Sequence, residues 1–154
     1  GRHAIDLFAG TGALGLEALR RGAKTAMFIE RHVPSARIVE ENIRTLGVED
    51  RTTLLVTSSF LWAKRDLNAG TAGHYENLPW LVFCSPPYVF FHERQAEMID
   101  LIARIQSYAP ANSILIVEAD EPFDFSMLRE ATAEHGDNWD IRTYAPALVG
   151  VWRN

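Results

Sequence analysis

The sequence is poor in cysteine and has no long apolar run. Its 154 residues hold one Cys, Cys84, which excludes a disulfide framework and a cysteine-built zinc cluster and makes a reducing cytoplasm the expected location. No apolar stretch reaches the ~18 residues of a bilayer span, and no secretory-signal pattern is visible, so no membrane partner is expected. A cationic surplus is also missing. Fifteen Lys+Arg stand against twenty Asp+Glu, a formal charge of -5. That balance argues against non-specific nucleic-acid binding over a broad basic face, while leaving room for a local basic patch. The five His residues (His3, His32, His74, His92 and His135) lack ligand spacing such as His-x-x-x-His, so no metal is expected. What is present, 47% apolar and 23% charged residues, suits a single domain over 1–154 with a true core, expected as a monomer. The chain begins at Gly1, two residues ahead of an apolar run, and reads as a piece with sequence upstream.

Short β-branched runs alternate with helical periodicity along the chain. Strands are predicted over 4–8, 25–30, 52–57, 80–84, 113–118, 140–144 and 148–153. Helices are predicted over 14–21, closed by Gly22, from Pro34 to about Leu46, over 60–67 and over 95–108, and from a Ser126 cap to about His135. In the second helix Ala36, Val39, Ile43 and Leu46 share a face. In the fourth, Met98, Ile102 and Ile105 read as core. Residues 68–79, with Gly70 and Gly73, read as a loop flanked by Trp62 and Trp80, which are expected to pack it down. Strands separated by helices imply crossovers and a mostly parallel sheet, and the closing hairpin implies one antiparallel strand. Ligands in such sheets bind beyond the carboxyl ends of the strands. Those positions are Ala9–Gly12, Glu30–Arg31, Ser58–Ser59, Ser85–Tyr88 and Glu118–Asp120.

Asp6-Leu7-Phe8-Ala9-Gly10-Thr11-Gly12 is the most informative stretch. Gly10 and Gly12 allow a sharp turn and close approach of a ligand, and Gly15 completes the spacing of a dinucleotide fingerprint. Glu30 ends the second strand, 20 residues after Gly10. A carboxylate there suits the two hydroxyls of a ribose. The combination fits NAD-type dinucleotides and S-adenosylmethionine equally. After the fourth strand, Ser85-Pro86-Pro87-Tyr88 forms a stiff corner. Its prolines have no N–H, so the Ser85 and Pro86 carbonyls are free to accept hydrogen bonds from an exocyclic amine, and Tyr88 offers a face for stacking a base.

These stretches resemble the RsmD family, bacterial small-subunit rRNA guanine-N2 methyltransferases that use S-adenosylmethionine. The match runs from Asp6 through Leu19 with Arg21-Gly22-Ala23, then Phe28-Ile29-Glu30-Arg31, Glu41-Asn42, Leu46-Gly47 and Pro86-Pro87-Tyr88. It is dense over 4–60 and patchier afterwards. The resemblance implies a Rossmann-like class I methyltransferase fold: a mostly parallel seven-stranded sheet with an antiparallel C-terminal strand and helices on both faces. It implies S-adenosyl-L-methionine as cofactor, held by Asp6, Phe8, Gly10, Gly12, Glu30, Arg31 and Ser58. Ser85, Pro86 and Tyr88 would hold the acceptor, and rRNA or a small-subunit assembly intermediate would be the partner. Family members carry an extension before the first strand, which is expected to help grip RNA. Two positions depart from the pattern. Ser58 stands where the family has an acid near the adenine amine, and Ser85 stands where it has Asp or Asn before Pro-Pro-Tyr.

Three functions follow as alternatives: a nucleic-acid methyltransferase, a methyltransferase for a protein or small molecule (favoured by the acidic charge), and a cofactor-binding homologue with weak or no turnover (favoured by Ser58 and Ser85). Cys84 is expected to pack rather than react, His92 to sit in a surface loop, and Arg31, Arg37, Arg44 and Arg51 to be solvated among acids.

Overall fold

The computed structural model describes residues 1–67 and 78–154; most of the loop expected over 68–79 lies outside them. The elements in chain order are β1 (His3–Asp6), α1 (Ala13–Arg20), β2 (Thr25–Ile29), α2 (Val33–Leu46), β3 (Thr52–Leu55), α3 (Ser59–Trp62, continued by a π-helical turn over Ala63–Leu67), β4 (Trp80–Cys84), α4 (Phe90–Glu93), α5 (Gln95–Tyr108), β5 (Ile114–Asp120), α6 (Phe125–Ala131), β6 (Trp139–Tyr144) and β7 (Ala147–Arg153). They build one seven-stranded sheet in the order β3-β2-β1-β4-β5-β7-β6. Neighbours from β3 to β5 run parallel, and β7 runs antiparallel to both β5 and β6. The mostly parallel sheet with one reversed strand is thus the architecture predicted.

Alternating side chains divide between two helical layers. Ile5, Met27, Val82, Cys84 and Leu115 meet Phe60, Met98, Leu101, Ile105 and Leu128 from α3, α5 and α6. On the other face Ala4, Ala26 and Phe28 meet Ala18, Leu19, Val39 and Ile43 from α1 and α2. Each fully buried side chain of this size contributes about 1.5–3 kcal/mol. Gly15 lets α1 lie directly on the sheet, since a Cβ there would overlap the Phe28 ring. The chain order reverses between β1 and β4, which share an edge. A cleft therefore opens where both strands end.

Several expectations needed correction. The last large helix is capped by Asp124, whose carboxylate accepts the Ser126 N–H at 2.9 Å. Ser126 lies within the first turn, and the helix gives way after Ala131 to a 3₁₀ turn at Ala133–His135. Leu46 shares the helical spacing of α2 but, as its last residue, is 59% exposed. Trp62 and Trp80 are both buried core residues, while most of the loop they are expected to pack down lies outside the described residues. His92 belongs to α4, a helix hidden from sequence reading by its four-residue length.

Candidate active site

Four strand ends form the three walls of one cavity of about 830 Å³. The first wall follows β1. The Leu7 N–H still donates to Phe83 O and the Ala9 N–H to Ile29 O, both at 3.0 Å, so the chain stays pinned between β2 and β4 before it turns. Gly10 lines the cavity. Gly12, at φ +86°, caps α1 in a left-handed conformation, with Val39 and Phe28 packed close behind it.

Glu30 supplies the second wall. Its Oε1 accepts the Gly10 N–H at 2.8 Å and its Oε2 accepts the His32 N–H at 2.7 Å. One carboxylate thus ties the glycine turn to the start of α2. Each oxygen has a second lone pair, available to a hydroxyl in the cavity.

The third wall joins the segments after β3 and β4. Ser58, Ser59, Phe60, Ser85, Pro86 and Pro87 line it. Ser59 is buried, and its hydroxyl donates to Leu7 O. Phe8, Phe60 and Phe90 pack edge-on or tilted, with centroids about 6 Å apart. The Arg94 guanidinium lies 4.3 Å from the Phe60 ring centroid and 5.1 Å from that of Phe90. Glu97 holds it at 2.7 Å and pushes its pKa up from an already high value. A fixed cation over two of these aromatic rings therefore borders the cavity.

Of the residues singled out from sequence, Phe8, Gly10, Glu30, Arg31, Ser58, Ser85 and Pro86 line this cavity. Asp6, Gly12 and Tyr88 are not among its lining residues. Asp6 is 1% exposed, and its Oδ2 accepts the Gly15 N–H at 3.2 Å. It braces the glycine turn from beneath. Burial raises its carboxyl to about 6, and the nearby Glu30 charge adds to the rise. Tyr88 is half-buried, and its hydroxyl donates to Glu118 Oε1 at 2.7 Å. That bond pushes the phenol pKa up. Ser85 Oγ donates to the other oxygen of the same carboxylate at 3.0 Å. His92 Nε2 lies 2.8 Å from Asp120 on the exposed rim. Burial pushes the Cys84 thiol far up, consistent with a packing role.

Sequence reasoning missed Phe60, Phe90 and Arg94 as part of the site. A signal existed for Phe60, two positions past the flagged Ser58. The same signal existed for Phe90, two positions past the flagged Tyr88, but none for Arg94, which lines the cavity from the turn between α4 and α5.

Comparison with known proteins agrees with this architecture. The family model described as Conserved hypothetical protein 95 matches residues 1–137. The Ribosomal RNA small subunit methyltransferase D of Haemophilus influenzae is 30% identical over 135 residues, covering 83% of this chain and 65% of that protein. The protein of the same name from Buchnera aphidicola is 24% identical over 118 residues, covering 76% of this chain and 55% of that one. The chain thus spans less than two thirds of these curated relatives. Among solved structures, one from Haemophilus influenzae superposes with a TM-score of 0.73 at 24% identity, covering 99% of this chain and 86% of that one. An rRNA methylase from Streptococcus thermophilus superposes with a TM-score of 0.67 at 13% identity, covering 97% and 84%. The fold is shared with both solved structures, and the resemblance to the RsmD family read from the glycine turn and the Pro-Pro-Tyr corner is borne out: the chain belongs to the family described as Conserved hypothetical protein 95.

Proposed function

We propose that this chain transfers a methyl group from S-adenosylmethionine to the exocyclic amine of a guanine in small-subunit rRNA, in the cytoplasm. The observation that carries the reading is the meeting of Gly10, Glu30 and the Ser85-Pro86-Pro87 corner round one cavity. The donor set fits an adenosyl group. Glu30 offers only acceptors and so selects a partner with hydroxyl donors, such as a ribose diol. The Phe60 face and the Ser58 hydroxyl suit a flat heterocycle with polar edges. Arg31, solvated at the rim, suits the outer polar end. Asp6 and Gly12 act indirectly, by shaping the turn that presents Gly10.

Bound there, S-adenosylmethionine supplies a methyl already activated on a sulfonium, so the amine needs little base and its displaced proton goes to water. The protein's work is orientation. Ser85 Oγ and the Pro86 carbonyl accept the amine N–H groups and turn the nitrogen lone pair into the cavity. Phe8, Phe60 and Phe90 give the cavity an apolar wall. A guanine in paired RNA must leave its stack to reach this depth. The rRNA acceptor rests on the names of the relatives and on the Pro-Pro-Tyr corner. The net charge of -5 favours a protein or small molecule as the second reading.

Transfer of tritiated methyl to small ribosomal subunits, free small-subunit rRNA and cell extract tests the acceptor, while calorimetry with S-adenosylmethionine and with NAD tests the cofactor. Label in rRNA guanine N2 and preference for S-adenosylmethionine are expected. Label in protein alone would replace the RNA acceptor, and tighter binding of NAD would end the methyltransferase reading.

A further inference from the structure

Ser85 occupies the corner where an acceptor oxygen is needed, yet a serine hydroxyl is ambivalent. It has one proton to give and two lone pairs to offer. Left free, it can donate towards a substrate as readily as accept. The end of β5 removes that freedom. Parallel pairing sets Cys84 opposite Val117, so Ser85, the first residue past β4, comes level with Glu118, which β5 still carries. Ser85 Oγ donates to Glu118 Oε2 at 3.0 Å and Tyr88 OH donates to Glu118 Oε1 at 2.7 Å. A carboxylate cannot give a proton back, so both hydroxyl protons point at it. Ser85, which lines the cavity, then has only lone pairs left to offer there.

We propose that Glu118 is a positioning residue which, by taking the hydroxyl protons of Ser85 and Tyr88, makes Ser85 Oγ a pure acceptor and so selects an acceptor molecule carrying an N–H donor. This deepens the functional reading above and rests on it. It also explains how a serine serves where the family uses Asp or Asn. The acceptor character comes from the side chain on the next strand. Tyr88 gains a fixed tilt from the same carboxylate.

The test has a binding arm and a turnover arm. Saturation-transfer NMR compares guanosine 5′-monophosphate with inosine 5′-monophosphate, which lacks the exocyclic amine, on protein loaded with S-adenosylhomocysteine. The unsubstituted protein is expected to prefer the guanine nucleotide about tenfold, the worth of one hydrogen bond to a polarised acceptor. Glu118→Gln lets the amide donate to Ser85 and frees the serine proton, so the preference should vanish. In methyl transfer to small-subunit rRNA, Glu118→Gln should lower kcat about 10- to 100-fold with KM for S-adenosylmethionine unchanged. In a Ser85→Ala background it should cost nothing more. Ser85→Asn, which supplies its own carbonyl acceptor, should make turnover indifferent to Glu118→Gln. This second background keeps the question answerable if Ser85→Ala folds poorly.

A Glu118→Gln protein that still prefers the guanine nucleotide, or that slows the Ser85→Ala protein by the same factor as the unsubstituted one, overturns the role of Glu118 alone. An unsubstituted protein that shows no preference, binds neither nucleotide or transfers no methyl overturns the functional reading and this proposal with it.

Discussion

Asp6→Asn should change how stability depends on pH, by an amount the structure sets. Asp6 is 1% exposed, accepts one N–H from Gly15, and has no hydrogen-bond partner at Oδ1 among the described residues. Burial disfavours its charged form, so the carboxyl titrates at about 6 in the folded chain against an ordinary 3.8. Between those values the folded chain keeps a proton that the unfolded chain has lost, so stability falls as pH rises across that window. At 1.36 kcal/mol per pH unit the full loss at pH 7 is about 3 kcal/mol. Asparagine keeps an oxygen for Gly15 and carries no charge to desolvate. Its NH₂ is left without a partner, at a cost of about 1–3 kcal/mol, but that cost is the same at every pH. At pH 4 the unfolded carboxyl has already lost over half of its proton, so the quantity to measure, the difference between substituted and unsubstituted chains at pH 7 minus that at about pH 4, is expected to be about 2.5 kcal/mol in favour of Asn. Urea titrations followed by tryptophan fluorescence give it directly. Two chains whose stabilities run parallel from pH 4 to pH 7 would refute the assignment of Asp6 as a buried, structurally stressed carboxyl.

Other outcomes follow from packing and from the cavity wall. Gly15→Ala would drive a methyl into the Phe28 ring and should destabilise by about 1–3 kcal/mol in urea. Leu101→Ala, at a fully buried position on α5, should lose about 2–5 kcal/mol, whereas Leu46→Ala, mostly exposed, should stay within about 0.5 kcal/mol. Glu30→Gln should weaken S-adenosylmethionine about 10- to 100-fold by calorimetry, and an unchanged affinity would place the ribose elsewhere.

The alternation of elements was legible because each strand and helix carries its own period and its own punctuation. Gly22 and Gly47, both at positive φ after their helices, show how local that signal is. Glu30 was legible because its distance from Gly10 is a property of one strand–helix–strand unit. Asp6 and Gly10, four residues apart across the turn, cannot be sorted by spacing into the one that lines the cavity and the one that braces the turn beneath. Only packing decides that, and here the Gly15 N–H claims Asp6. The same limit hid the partner of Ser85. Glu118 stood among the flagged strand ends, but its contact depends on the register of β4 against β5. Asp124 displaced Ser126 as a cap because both are good caps two residues apart, and the apolar Phe125 had to face the core.

Glu30 is clasped at both oxygens by main-chain N–H groups before anything enters the cavity. Its torsions are already still, so an arriving diol meets a rigid template rather than a waving arm, and little rotamer freedom remains to be lost on contact. Recognition of this kind punishes imperfect guests. A sugar with one hydroxyl removed would leave an oxygen of that template facing nothing, with no slack for the side chain to swing towards another donor.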